Sequence, residues 1–125
     1  MALALVDTAI VVDLLRGYPP AQSWFLTQQD LGASRAVWLE VIEGAQNRNA
    51  QRHALHLLRR MELVEITTAD VVWATEQLLA LNLSHNIDAF DCLIAAVSHR
   101  LQLPLFTRNL KYFSPLIGQQ AQRPY

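Results

Sequence analysis

Hydrophobic positions recur along this chain in two alternating rhythms. Residues 2–6, ALALV, make an apolar run too short for a helix and ending at Asp7, which predicts a buried strand. From Thr8 to Arg16 the spacing turns helical, until Gly17 with Pro19 and Pro20 stops it. Pro20 to Gln29 predicts a second helix with Trp24 and Phe25 on its stripe, and Gly32 breaks the chain. A very short strand is expected within Ala33–Val37, and Ser34 is placed to cap a helix over Ala36–Gln46. Residues 48–61 predict a helix with Leu55, Leu57, Leu58 and Met61 inward. Its arginines, Arg48, Arg52, Arg59 and Arg60, read as a solvated face rather than an RNA track.

The alternation continues. LVEI, Leu63 to Ile66, predicts a strand, and Thr67 or Thr68 caps a helix over about 69–82 that is expected to bury Val72, Trp73, Leu78, Leu79 and Leu81. Asn82–Asn86 predicts a loop, with His85 structural because no second His or Cys stands at ligand spacing. Phe90, Leu93, Ile94 and Val97 define a helix from Asp88 to His99 that ends near Gln102. Leu103 to Phe106 is a strand, LKYF a short amphipathic turn closed by Ser114-Pro115, and the tail has room for a last edge strand. Strands alternating with helices imply an α/β fold with a mostly parallel sheet and helices on both faces.

At 125 residues and 52% hydrophobic, the sequence suits one domain, residues 1–125, with one core. The single cysteine, Cys92, excludes an internal disulfide and reads as a small core residue. No apolar run approaches the ~20 residues of a membrane span. The first residues lack a basic leader, so a cytoplasmic location is the expectation. A net charge of −1 gives no bulk attraction to nucleic acid.

The uneven feature is acid in apolar company. Asp91 lies between Phe90 and Cys92 with no Lys or Arg in helical reach, where an unpaired carboxylate costs several kcal/mol in order of magnitude. Glu40 likewise interrupts Val37, Trp38, Leu39, Val41 and Ile42, whereas Glu43 reads as solvated and Asp13 as solvent-facing. Asp7 closes the first strand, where open parallel sheets bind ligands, although a residue there also caps the following helix. If the strands are parallel, Asp7, Glu40, Asp91 and Asn109 meet at one edge. At ~5 Å and an effective dielectric near 20, each pair of acids repels by roughly 3 kcal/mol, so the group holds either protons or a cation. Oxygen ligands favour Mg²⁺ or Mn²⁺, which activate water and neutralise a scissile phosphate. Thr8 and Thr107 are candidates to orient ligands, and Arg108 to meet a phosphate; each is equally at home as a turn residue. Asp88 reads as a first-turn acid favoured by the helix dipole, or as an added member of the site.

The segments LVDTAIVVDLLRG, LEVIEGA, DAFDCLIAAVS and LFTRNLKYF, in this order and at these separations, resemble the PIN domains of VapC-like toxin ribonucleases over nearly the whole chain. The resemblance implies a three-layer α/β/α fold with a central, mainly parallel sheet of about four to five strands, and Mg²⁺- or Mn²⁺-dependent endoribonuclease activity. It sets the family's acids on Asp7, Glu40 and Asp91 as metal ligands, and its fourth site position on Asn109. It also implies an RNA substrate, a cognate antitoxin whose tail lies along a groove into the site, and a homodimer. Ala9 departs from the Asn or Ser often found after Asp-Thr, and Val41 from the usual Leu. Two other readings are open: a catalytically silent module on this fold, and a receiver-like signalling domain, which also gathers acids at a parallel sheet edge but needs an acid pair after the first strand, where this chain has Thr8 and Ala9.

Overall fold

The structure is a computed structural model describing residues 1–125. Its strands are β1 (Ala4–Val6), β2 (Leu31–Ser34), β3 (Glu62–Val64), β4 (Leu105–Phe106) and β5 (Ala121–Gln122). Its helices are α1 (Thr8–Leu15), α2 (Pro19–Leu26), α3 (Arg35–Gly44), α4 (Arg48–Leu58), α5 (Thr68–His85), α6 (Ala89–Leu101) and α7 (Leu110–Ile117). All pairings are parallel, in the order β3-β2-β1-β4-β5, so the fold is α/β with a five-stranded sheet flanked by helices. Helices α1 to α4 pack among themselves, as do α5 to α7, and α3 meets α6 between the two groups. No helix is long and apolar enough to cross a membrane.

The strand order decides where a ligand can go. From β1 the chain winds outward to β2 and β3, then returns to β4 on the other side of β1 and continues to β5. The reversal between β1 and β4 opens a crevice at their carboxyl ends. Asp7 follows β1 directly and Thr107 follows β4 directly, so both stand at that crevice. A receiver-like domain would instead order its strands 2-1-3-4-5. That reading is therefore set aside.

Leu5, Val6, Ile10, Val11, Ile87, Val97, Leu105 and Phe113 are fully buried and form the centre of the core. Gly32 does not break the chain: it lies inside β2, paired with Leu5 on one side and Glu62 on the other. A Cβ there would come within 2.8 Å of Ala2 Cβ and 3.1 Å of Leu5 Cδ2. Close approach, not a turn, requires glycine. β2 thus begins at Leu31, earlier than the apolar spacing indicates, and α3 follows at Arg35 with the Ser34 hydroxyl accepting from the Val37 amide.

Three other expectations change. α5 runs on through the expected Asn82–Asn86 loop to His85, because Asn86 adopts the left-handed conformation that ends a helix and Asn82 Nδ2 donates to the Ile87 carbonyl at 2.8 Å. α5 is apolar on more sides than its neighbours cover, so Val72 is 54% and Leu79 82% exposed rather than buried. The LKYF turn extends through Pro115 into α7, held by buried Phe113, Leu116 and Ile117. The tail does add the edge strand, β5.

Asp13 is a further correction. It is buried, 3% exposed, because its partners come from the far end of the chain. Arg108 Nε lies 2.7 Å from Asp13 Oδ2, and the Tyr125 hydroxyl donates to the same oxygen at 2.7 Å. Tyr125 in turn packs near Trp24 and Tyr18, at ring separations of 5.8 and 6.0 Å. The network ties α1 to the segments on either side of β5. We predict that Arg108→Ala lowers stability by about 2 kcal/mol in urea denaturation, below the ~3–5 kcal/mol of a wholly buried pair because the guanidinium is partly exposed. A loss under about half a kcal/mol would show that the pair is only a surface contact.

Candidate functional site

Asp7 carries two local duties. As the residue before α1 it accepts a hydrogen bond from the Ala9 amide, and its other oxygen accepts from the Thr107 hydroxyl. The Asp7 amide donates to the Phe106 carbonyl at 3.0 Å, and the Thr107 hydroxyl also accepts from the Asn109 amide at 2.9 Å. The carboxyl ends of β1 and β4 are thereby stitched together by one carboxylate and one hydroxyl. Burial pushes the Asp7 carboxyl up to about 6, and the Glu40 charge adds to the rise against the hydrogen bonds from Thr107 and Ala9.

Glu40 is brought to the same crevice from α3. The Thr8 hydroxyl donates to Glu40 Oε1 at 2.7 Å, while Oε2 makes no protein hydrogen bond. Burial raises the Glu40 carboxyl above its ordinary range, helped by the charges of Asp88 and Glu43. Glu43 itself is exposed, as expected.

Asp88 and Asp91 open α6 as a reciprocal cap. Asp88 Oδ1 accepts from the Asp91 amide at 2.8 Å, and Asp91 Oδ2 accepts from the Asp88 amide at 3.3 Å. Burial first, then the negative charges of Asp88 and Glu40, push Asp91 to about 7. Cys92, beside it, is buried, and burial lifts its thiol to about 11, leaving it a protonated core residue. Repulsion thus links Asp7 to Glu40, and Glu40 to both Asp88 and Asp91.

The contrast with other buried acids is informative. Thr67 and Asp70 cap α5 by the same reciprocal device, but Arg100 Nε lies 2.9 Å from Asp70 Oδ1 and, against the pull of burial, Asp70 is held below its ordinary range. Asp13 has Arg108. No ion pair reaches Asp7, Glu40, Asp88 or Asp91. Two of the three buried acids, Asp13 and Asp70, thus meet an arginine, whereas buried Asp7 and half-buried Glu40 and Asp91 form no ion pair.

The side chains do not close into a cage. No three acidic, histidine or cysteine groups stand tightly enough together to hold a metal as they are. The donor chemistry nonetheless fits a hard dication: every candidate ligand is a carboxylate oxygen, three carboxyls are raised by burial and mutual repulsion, and Glu40 Oε2 is uncommitted. Asn109 is exposed before α7, with no side-chain bond to the helix start. Arg108 is engaged by Asp13 rather than turned wholly to the crevice. The sequence pattern underrated Thr107. Its position directly after β4, the strand beside β1, was the available signal.

A family description, PIN domain, matches residues 4–114. Among solved structures the chain is similar to a toxin–antitoxin complex from Klebsiella pneumoniae, at 26% identity and TM-score 0.77 over 98% of each chain. It also matches a DNA-bound VapBC from Salmonella typhimurium, at 20% identity and TM-score 0.78 over 100% of each chain. A third match is VapC20 of Mycobacterium tuberculosis, a sarcin-ricin loop cleaving toxin, at 15% identity and TM-score 0.74 over 90% of this chain and 94% of that one. The latter two likenesses are of fold alone. A comparison with curated proteins finds no match.

The raised carboxyls make stability depend on pH. Asp7 titrates near 3.8 when unfolded and at about 6 when folded, so between these values the native state binds more protons. Its contribution is therefore full below the unfolded value and is lost as pH rises through about 6. The difference amounts to about 3 kcal/mol for this buried group. In EDTA, the melting temperature is expected to rise as pH falls from about 7.5 to about 5. Asp7→Asn, which keeps the cap, should melt higher than the parent at neutral pH and show a flatter profile. A parent profile that falls over this interval would contradict the electrostatic description.

Proposed function

The chain belongs to the PIN-domain family, and from that premise we propose that it is a Mg²⁺- or Mn²⁺-dependent endoribonuclease, the toxin of a toxin–antitoxin pair. The observation that carries this reading is the set of carboxylates at the β1–β4 crevice that form no ion pair, Arg108 acting on Asp7 only through its charge while it is bound to Asp13. In the proposal Asp7, Glu40 and Asp91 are the metal ligands, and Asn109 completes the catalytic set. When bound, the dication supplies a water of lowered pKa and neutralises charge on the scissile phosphate. Thr107 and Thr8 are positioning residues, holding Asp7 and Glu40 through their hydroxyls. Asp88 supports the site through Asp91, whose amide it accepts. Ionisation of Asp91 and Asp7, both raised, would be drawn out by the cation and would leave a further lone pair on their hydrogen-bonded oxygens to coordinate. Arg108, anchored by Asp13, has its terminal nitrogens available for a phosphate oxygen.

Two protein partners belong to the same reading. One is a cognate antitoxin, by likeness to the Klebsiella complex. The other is a second copy of this chain, for which the uncovered face of α5 with Val72, Leu79 and Leu83 offers an apolar surface. A monomeric mass by light scattering would remove the homodimer. A second functional reading, a silent module that binds without cutting, is favoured by Ala9 and by the looseness of the acid group.

Purified protein incubated with structured RNA separates these readings. Cleavage is expected with Mn²⁺ and not in EDTA, and Asp91→Asn should reduce it by at least about a hundredfold, the upper end of the effect of losing an outer partner of a metal. Equal cleavage in EDTA, or parent-like cleavage by Asp91→Asn, would overturn the assignment.

A further inference from the structure

We propose that the cavity between α1, α3 and α4 holds one unpaired base of the RNA beside the cleaved phosphate, and so sets sequence preference. The inference rests on the nuclease reading. The cavity measures about 410 Å³, within the size range of small-ligand sites. Glu40 lines it too, so the cavity shares one residue with the acid group at the crevice.

Two helices carry it away from that crevice. On α1, Thr8, Val12 and Arg16 follow one another at single-turn steps along one face; Thr8 holds Glu40, while Val12 and Arg16 line the cavity. This face extends about 12 Å from Thr8 to Arg16. On α3, Gly44 stands one turn beyond Glu40 and also lines the cavity. A Cβ at Gly44 would meet nothing within 4 Å, so this glycine is not there for helix packing; it leaves the space open.

The lining has the chemistry of a base site. Its apolar half suits a ring face, and Arg16 and His53 add planar cationic or polar groups on which a base can stack. Arg16 forms no ion pair within the chain. Asn47 spends its carbonyl oxygen on the Ala50 amide at 2.8 Å, which leaves its NH₂ to donate. Positive and donor groups just beyond an acidic crevice complement a polyanion whose scissile phosphate sits with the dication. The exposed arginines Arg48, Arg52 and Arg59 recur at helical steps on the opposite side of α4 from Ala50 and Ala54, and take no part.

The test uses short RNA randomised at every position, with two readouts: the sequences retained by the protein in EDTA, and the 5′ ends generated with Mn²⁺. The parent is expected to favour particular bases at one position by about fivefold or more, the lower range of discrimination from hydrogen bonds to a base edge, which Asn47 and Arg16 would donate. Gly44→Leu, which fills the cavity and should melt at or above the parent, is expected to lose that preference, and the exposed change His53→Ala to weaken it. Loss of preference among retained RNAs without any cleavage by the parent would keep the pocket and overturn the nuclease. Cleavage with the same preference in parent and Gly44→Leu would keep the nuclease, overturn the pocket and leave the cavity to a protein segment. Neither retention nor cleavage would overturn both.

Discussion

One hydrogen bond fixes the geography of this molecule: the Thr107 hydroxyl donating to the Asp7 carboxylate. It joins the ends of the two strands between which the winding of the sheet reverses. Because Asp7 is also the cap of α1, the same carboxylate sets the direction of the helix whose first residue, Thr8, holds Glu40. Asp7 is 2% exposed. It could meet all these demands more cheaply as a neutral group, and its carboxyl is raised accordingly.

Comparison within the molecule explains why that discomfort is informative. Asp13, Asp70 and Asp7 are equally buried. Asp13 and Asp70 each meet an arginine, brought in from a distant part of the chain. The capping boxes that start α5 and α6 are alike in backbone geometry, yet Asp70 is held low and Asp91 is raised. Capping therefore accounts for where Asp91 sits but not for the missing counter-charge. The same separation of duties applies to Asp7, a cap and a candidate site residue at once.

Local rules made much of this legible. An acid directly after a strand, a glutamate within apolar neighbours and an aspartate at the start of an apolar helix are all visible over a few residues, and they single out Asp7, Glu40 and Asp91 as candidates. What escaped depended on distant partners or on space. The burial of Asp13 requires Arg108 and Tyr125, which no periodicity can foresee. Gly32 looks like a breaker until Ala2 and Leu5 are seen against it. The open space beside Gly44, where a Cβ would meet nothing within 4 Å, is likewise invisible in the sequence. The apolar residues of α5 read as buried because spacing records a hydrophobic face and not whether anything covers it.

In the proposed function a dication would join these carboxylates. Calorimetry of Mn²⁺ binding in buffers of different ionisation enthalpy measures it directly, since the cation must displace the protons the raised groups hold. With Asp7 at about 6 and Asp91 at about 7, binding near pH 6.5 should release about one proton, and close to none once both groups are already ionised in alkaline buffer. No binding at millimolar Mn²⁺, or binding with no proton released near pH 6.5, would contradict the account.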